Sequence, residues 1–225
     1  MTYFVLYSIL RILLGMRKEE VRALRWGNLL YFKEAGCFAF NVCRSVDQND
    51  KITQYDGMYL AIPDIETYQR IVSIPLSVVD IIKDFKKYIK KEHPEAVQKK
   101  AYVFSADGRP DNLMPQSQID KMEEQLLALT MPHILPAECR ENLVYEEKDI
   151  CRGIYMAAAT KIGMEKDHIM YNLGKPGSTM SSVSRLYIDF GNPIIALMSS
   201  TTLDRWAVPN ITNIKSGSFP KDIIL

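Results

Sequence analysis

The chain has 225 residues, 47% of them hydrophobic and 24% charged, which suits a globular protein with a sizeable core. Its 28 lysines and arginines against 27 acids give a net charge of +1, so bulk charge does not argue for nucleic-acid binding and any basic surface must be local. Four cysteines (Cys37, Cys43, Cys139, Cys151) form no CxxC pair, which predicts free core thiols in a reducing compartment.

The first apolar run, Tyr3 to Leu14, is broken by Arg11 and is far shorter than the roughly 20 residues of a membrane span. It has neither the basic start nor the cleavage site of a signal peptide, so the expected location is cytoplasmic, without membrane association. Phe4, Val5, Ile9, Ile12 and Leu13 recur near helical spacing and predict a helix over 2–14 that Gly15 ends. A chain starting inside a core helix is expected to lack an upstream domain. A second helix, Lys18 to Trp26, turns Val21, Leu24 and Trp26 inward, and the turn before it aims Arg17 outward.

Strand character follows at Leu29–Phe32 and Cys37–Cys43 around a turn at 33–36, then a polar segment (47–56), then strands at Met58–Ile62 and Arg70–Pro75. Ser77 is a fitting N-cap for a helix to about Lys91, stopped by Pro94. That helix turns Val78, Ile81, Ile82, Phe85 and Ile89 inward and lysines 83, 86, 87, 90 and 91 largely outward, a pattern that reads first as a solvated face and alternatively as a stripe of phosphate contacts. A short strand at Tyr102–Phe104, a turn at 107–110 and a helix over 117–129 come next. Beyond Pro132 and Pro136, helices are expected over 146–162 and 166–173, ended by Gly163 and Gly174, then a Ser-rich connection to Tyr187. Asn192-Pro193 opens a last predicted helix through Ser199, and the tail reads as partly ordered at best. The fold class is mainly α with a small antiparallel β-sheet (α+β), with one domain over 1–190 and a C-terminal helix and tail over 191–225.

Arg17 and Arg152, each at a helix start, together with Tyr187, suggest a phosphate site with a tyrosine beside it. The order of pieces resembles the catalytic domain of the tyrosine recombinases, the phage integrase family. The segment LLGMRKEEVRALRWGNLLYF is similar to the family's first-arginine turn and helix, RIVSIPLS to its third strand, and DICRG, NLGKP and RLYIDF to its His-x-x-Arg, Leu-Gly-His and tyrosine motifs. The resemblance implies that Arg17 and Arg152 clamp a DNA phosphate through forked hydrogen bonds and that Tyr187 attacks phosphorus to leave a 3′-phosphotyrosine. It implies no metal or nucleotide cofactor, double-stranded DNA as partner, self-association as a tetramer on two duplexes, and a role in the recombination of a mobile element. Asp149 stands where the family has the first histidine, Lys175 where it has the second, and Glu66 where it has the general-acid lysine. The stretch from Lys175 to Tyr187 is longer than the family's. The expectation is therefore a recombinase fold that keeps DNA affinity with strand cleavage reduced or lost, Lys175 or else Lys51 serving as proton donor.

Competing readings remain for each residue. Arg17 can serve a helix end or pair with Glu20, Arg152 can pair with Asp149 or Glu146, and Tyr187 can be a core aromatic. Cys151 is read as buried and inert. At the level of the whole chain, the alternatives are a non-catalytic DNA-binding relative and a helical protein-interaction domain.

Overall fold

The computed structural model describes residues 3–55, 69–130, 149–174, 201–205, 207, 208 and 211. The chain opens with α1 (Tyr3–Ser8), which widens without a break into a π-helical stretch, Ile9–Leu13. Gly15 ends it with a φ of 61°, a left-handed conformation that a residue with a Cβ adopts only at a cost. After α2 (Lys18–Arg22) the backbone straightens, so Trp26 lies in a 3-10 turn (Trp26–Asn28) and not in the helix.

Strands β1 (Leu29–Phe32), β2 (Cys37–Val42) and β5 (Arg70–Ser73) form an antiparallel sheet in the order β1-β2-β5. Leu29 pairs with Phe40, and Val42 with Arg70. The polar segment expected to interrupt the strands instead contains a hairpin of β3 (Arg44–Val46) and β4 (Ile52–Gln54), turned by Asp47, whose carboxylate accepts the amides of Asn49 and Lys51. The strand predicted at 58–62 lies outside the described residues.

Helix α3 (Leu76–Glu92) begins two residues earlier than an N-cap at Ser77 would place it, with Pro75 at the N-cap position, and its cap comes from far along the chain. Asp204, in the helical residues 201–205, accepts the Leu76 and Ser77 amides (3.0 and 2.9 Å) and the Ser77 hydroxyl (2.5 Å). Ser77 therefore does not cap its own helix. Leu203 and Ala207 are fully buried in the same core, so the part of the tail expected to be loosely ordered is helical and packed at 201–205. The predicted helix over 192–199 falls outside the described residues.

The expected strand at 102–104 is reduced to a single bridge between Tyr102 and Arg25. Its backbone bonds outward in other directions, Tyr102 N–H to Pro110 and Val103 N–H to Leu24, and no ladder forms. Helices α4 (Gln116–Thr130), α5 (Ile150–Lys161) and α6 (Lys166–Asn172) follow, with a 3-10 turn (Pro94–Val97) after α3. One core joins α1, the π stretch, the inner faces of the sheet and α3, and the buried side of α5; Phe85, for example, packs against Tyr3 and Trp26. The mixed α and antiparallel β composition agrees with the α+β expectation. Among the described residues no helix is long and apolar enough to cross a membrane.

Candidate phosphate-binding site

Three segments distant in sequence meet at the Gly15 turn. A Cβ placed on Gly15 would lie 2.8 Å from Tyr155 Cδ1 and 3.0 Å from Leu173 Cδ2, so the turn rests directly on α5 and on the end of α6. Arg17, two residues later, is half-exposed and forms the N-cap position of α2, where its amide donates to Glu20 Oε2 at 2.8 Å. This is the bond from N-cap to third residue that a capping box uses.

Glu20 is fully buried and serves four donors. Arg70 grips it through both terminal nitrogens (2.6 and 2.7 Å), Tyr55 donates its hydroxyl (3.2 Å), and the Arg17 amide completes the set. Burial alone would raise the Glu20 carboxyl, but the charge and hydrogen bonds of Arg70, with help from Arg17, outweigh it and bring the pKa down to about 2. Next to this carboxylate the Tyr55 hydroxyl, buried and facing negative charge, is pushed up to about 12.

The third nitrogen of Arg70, Nε, donates to the Asn172 carbonyl at 2.8 Å, and Arg152 Nη2 donates to the next carbonyl, that of Leu173. The C-terminal carbonyls of α6, which have no partner within the helix, are thus held by two buried guanidinium groups. Asn172 is fixed from its side chain as well, donating to the Tyr155 hydroxyl at 2.7 Å, and the hydroxyl oxygen of the neighbouring Tyr171 accepts the backbone amide of Ile71 on β5 (2.7 Å). Gly174 has a φ of 65°, and a Cβ there would stand 3.1 Å from Arg70 Nη1. Only glycine lets the chain turn past the guanidinium, which accounts for the Leu-Gly stop seen in the sequence.

Asp149 caps α5. Its Oδ1 accepts the Arg152 amide at 3.4 Å and also receives Arg11 Nη2 at 2.8 Å. Arg11 is 1% exposed; it bonds Glu123 through Nε (3.0 Å) and Nη2 (2.5 Å), and its Nη1 donates to the carbonyl of Met16, the residue before Arg17. Tyr7 adds a 2.5 Å bond to Glu123. A single buried side chain therefore ties the turn bearing Arg17 to the start of the helix bearing Arg152. Sequence reasoning treated Arg11 as an interruption of an apolar run and did not single out Glu123; a charge inside a core stripe is the signal that a buried partner exists.

Glu123, Asp149 and Cys151 bring potential ligand atoms within 4.8 Å of one another. The guanidinium of Arg11 already bonds both carboxylates, and burial pushes the Cys151 thiol well above its usual range, so these three groups act as the cradle of an arginine. Beside α2 lies an open polar cleft of about 370 Å³, where Glu19, Asp47 and Asp120 outnumber Lys18, itself paired with Asp120 at 2.9 Å; the cleft does not complement a phosphate.

Of the residues singled out from sequence, Arg17 at the start of α2 is tied through the Arg11 side chain to the start of α5, which carries Asp149 and Arg152. The pairing of Arg152 with Asp149 considered above is made by the Arg152 amide; its guanidinium reaches Leu173. Glu66, Lys175 and Tyr187 lie outside the described residues, although Lys175 directly follows Gly174 in the chain. Compared with protein-family models, with curated proteins and with solved structures, the chain finds no match in any of the three.

Proposed function

We propose that this chain is the catalytic domain of a DNA breaking-and-rejoining protein resembling the tyrosine recombinases, with Arg17 and Arg152 as phosphate clamp, Tyr187 as nucleophile and Lys175 as proton donor. One observation carries the reading: the Gly15–Glu20 turn, the start of α5 and the Leu173–Gly174 stop are packed and hydrogen-bonded together. These are the segments whose motifs suggested a shared phosphate site, and nothing in their sequence separation requires them to meet.

In the proposed reaction the two arginines bind the non-bridging oxygens of a DNA phosphate and stabilise the charge that grows in the pentavalent transition state. The Tyr187 oxygen bonds phosphorus and gives up its proton to solvent water, the bond to the 5′ oxygen breaks, and that oxygen takes a proton from Lys175, which is reprotonated from solvent. The phosphotyrosine retains the ester for rejoining. Duplex DNA is the substrate, and assembly on two duplexes follows from exchange between them.

Asp149 at first looks incompatible with an anion, since an unpaired carboxylate about 4 Å from a phosphate costs on the order of 4 kcal/mol at intermediate dielectric. Its 2.8 Å bond to Arg11, a guanidinium shared with Glu123, and the Arg152 amide offset part of that charge. The same commitment favours a second reading, a DNA-binding relative with reduced or lost cleavage: a carboxylate engaged by Arg11 and by the Arg152 amide is not placed to do the work of a histidine acid-base group.

The test is incubation with a pool of nicked duplexes of randomised sequence, followed by denaturing electrophoresis. A covalent protein–DNA adduct that Tyr187→Phe abolishes supports the catalytic reading. Salt-sensitive binding without adduct supports the binding-only relative, and neither binding nor adduct refutes both.

A further inference from the structure

Several arginines are committed in the core, while a run of lysines stands at the surface. Arg11, Arg22 and Arg70 are buried and bonded to carboxylates, and Arg152 to a carbonyl. By contrast, the segment 83–100 holds seven lysines and three acids in a chain whose net charge is +1. Lys83 pairs with Asp80 at 3.5 Å, but among the described residues Lys86, Lys87, Lys90, Lys91, Lys99 and Lys100 make no ion pair. All of these except the half-buried Lys86 are exposed.

These lysines share a face. Positions 83, 87, 90 and 91 follow helical spacing along the outer side of α3, covering about 12 Å of axis at 1.5 Å per residue. Lys86 lays its ammonium 5.1 Å from the Trp26 ring centre. The Trp26 and Gly27 amides bond the Ala101 and Lys99 carbonyls (3.0 and 2.7 Å), which brings the loop of Lys99 and Lys100 against the same aromatic. Burial against the aromatic, and to a lesser degree the charge of Lys90, lower the Lys86 pKa.

We propose that the outer face of α3, extended by Lys99 and Lys100, is a sequence-independent binding surface for the phosphate backbone of duplex nucleic acid. A strand of duplex DNA presents a phosphate about every 3.4 Å along its axis, so the lysine row matches a run of three or four phosphates. A membrane surface fits less well. The apolar side of α3 (Val78, Ile81, Ile82, Phe85, Ile89) is buried in the core, and the exposed large apolar groups of the helix are Leu76 at its first turn and Tyr88, too little for an interfacial helix.

This surface goes beyond the phosphate-site reading and stands without it. The full chain is titrated with a fluorescently labelled random-sequence duplex across a range of salt. Five or six lysine contacts predict a slope of log affinity against log salt of about −5, and Lys87→Gln/Lys90→Gln/Lys91→Gln, all at exposed positions, should reduce its magnitude by two to three. The unfolding midpoint of the triple variant should match that of the unsubstituted protein. Arg17→Gln separates the two proposals: a slope that changes in the lysine variant and stays fixed in Arg17→Gln counts against the phosphate site and leaves this surface standing. An unchanged slope in the triple variant, or no duplex binding at low salt, overturns the surface. Lysine-dependent retention on phosphatidylserine vesicles without duplex binding would also overturn it and assign the face to a membrane.

Discussion

Replacing Glu20 by glutamine removes one charge from the most enclosed ion pair among the described residues. Arg70 and Glu20 are 1% and 0% exposed, and the contact is doubly hydrogen-bonded. Breaking such a pair from one side leaves an uncompensated buried guanidinium, so Glu20→Gln should cost about 3–5 kcal/mol at neutral pH. An independent estimate comes from linkage. A carboxyl whose pKa falls from 4.5 to about 2 on folding contributes roughly 3 kcal/mol, fully present above pH 4.5 and lost as pH drops toward 2. Urea unfolding at several pH values tests both figures. The stability gap between the unsubstituted protein and Glu20→Gln should be wide at pH 7 and narrow steadily below pH 4.5, while Glu20→Met/Arg70→Met should recover most of the loss because a buried pair exchanged for apolar groups is often neutral. A gap independent of pH would refute the assignment of Glu20 as a buried, ionised anchor.

Arg11→Met should cost a similar 3–5 kcal/mol, since it strands Glu123 and Asp149 together, whereas Asp149→Asn should cost about 1 kcal/mol or less because asparagine also caps a helix. Denaturant midpoints of the two variants check this, and equal losses would contradict the hub role of Arg11. Gly15→Ala and Gly163→Ala both place a side chain at positive φ, worth roughly 1–2 kcal/mol, but only the first drives a Cβ into Tyr155 and Leu173; Gly163 has open space. Thermal melts should show Gly15→Ala clearly the worse of the two, and parity would mean that the turn does not rest on α5 as described.

Local pattern made much of the site readable. Gly15 and Gly174 announced their turns, and the contact of Arg17 with Glu20 considered from sequence is made by the Arg17 amide. What sequence could not supply was the partner across the fold. Arg11 and Glu123 are 112 residues apart, and Arg70 and Glu20 are 50 apart, so a lone arginine in an apolar run reads as a break until its carboxylate is found. Asp204 capping α3 is the same case, because Ser77 satisfied the local rule for an N-cap while the bond was supplied from 127 residues away. The β3–β4 hairpin stayed hidden because its strands are three residues each and its turn is polar, and Tyr102–Phe104 misled because buried backbone satisfied by turns looks like a strand in one dimension.

Arg17 and Arg152 are proposed to serve one phosphate attacked by Tyr187. Mass spectrometry of the protein–DNA species formed on nicked duplexes tests this most directly. A nucleotide remnant is expected on the peptide containing Tyr187, and its loss in Arg17→Gln at unchanged unfolding midpoint. A remnant on another residue, or adduct formation indifferent to Arg17, would contradict it.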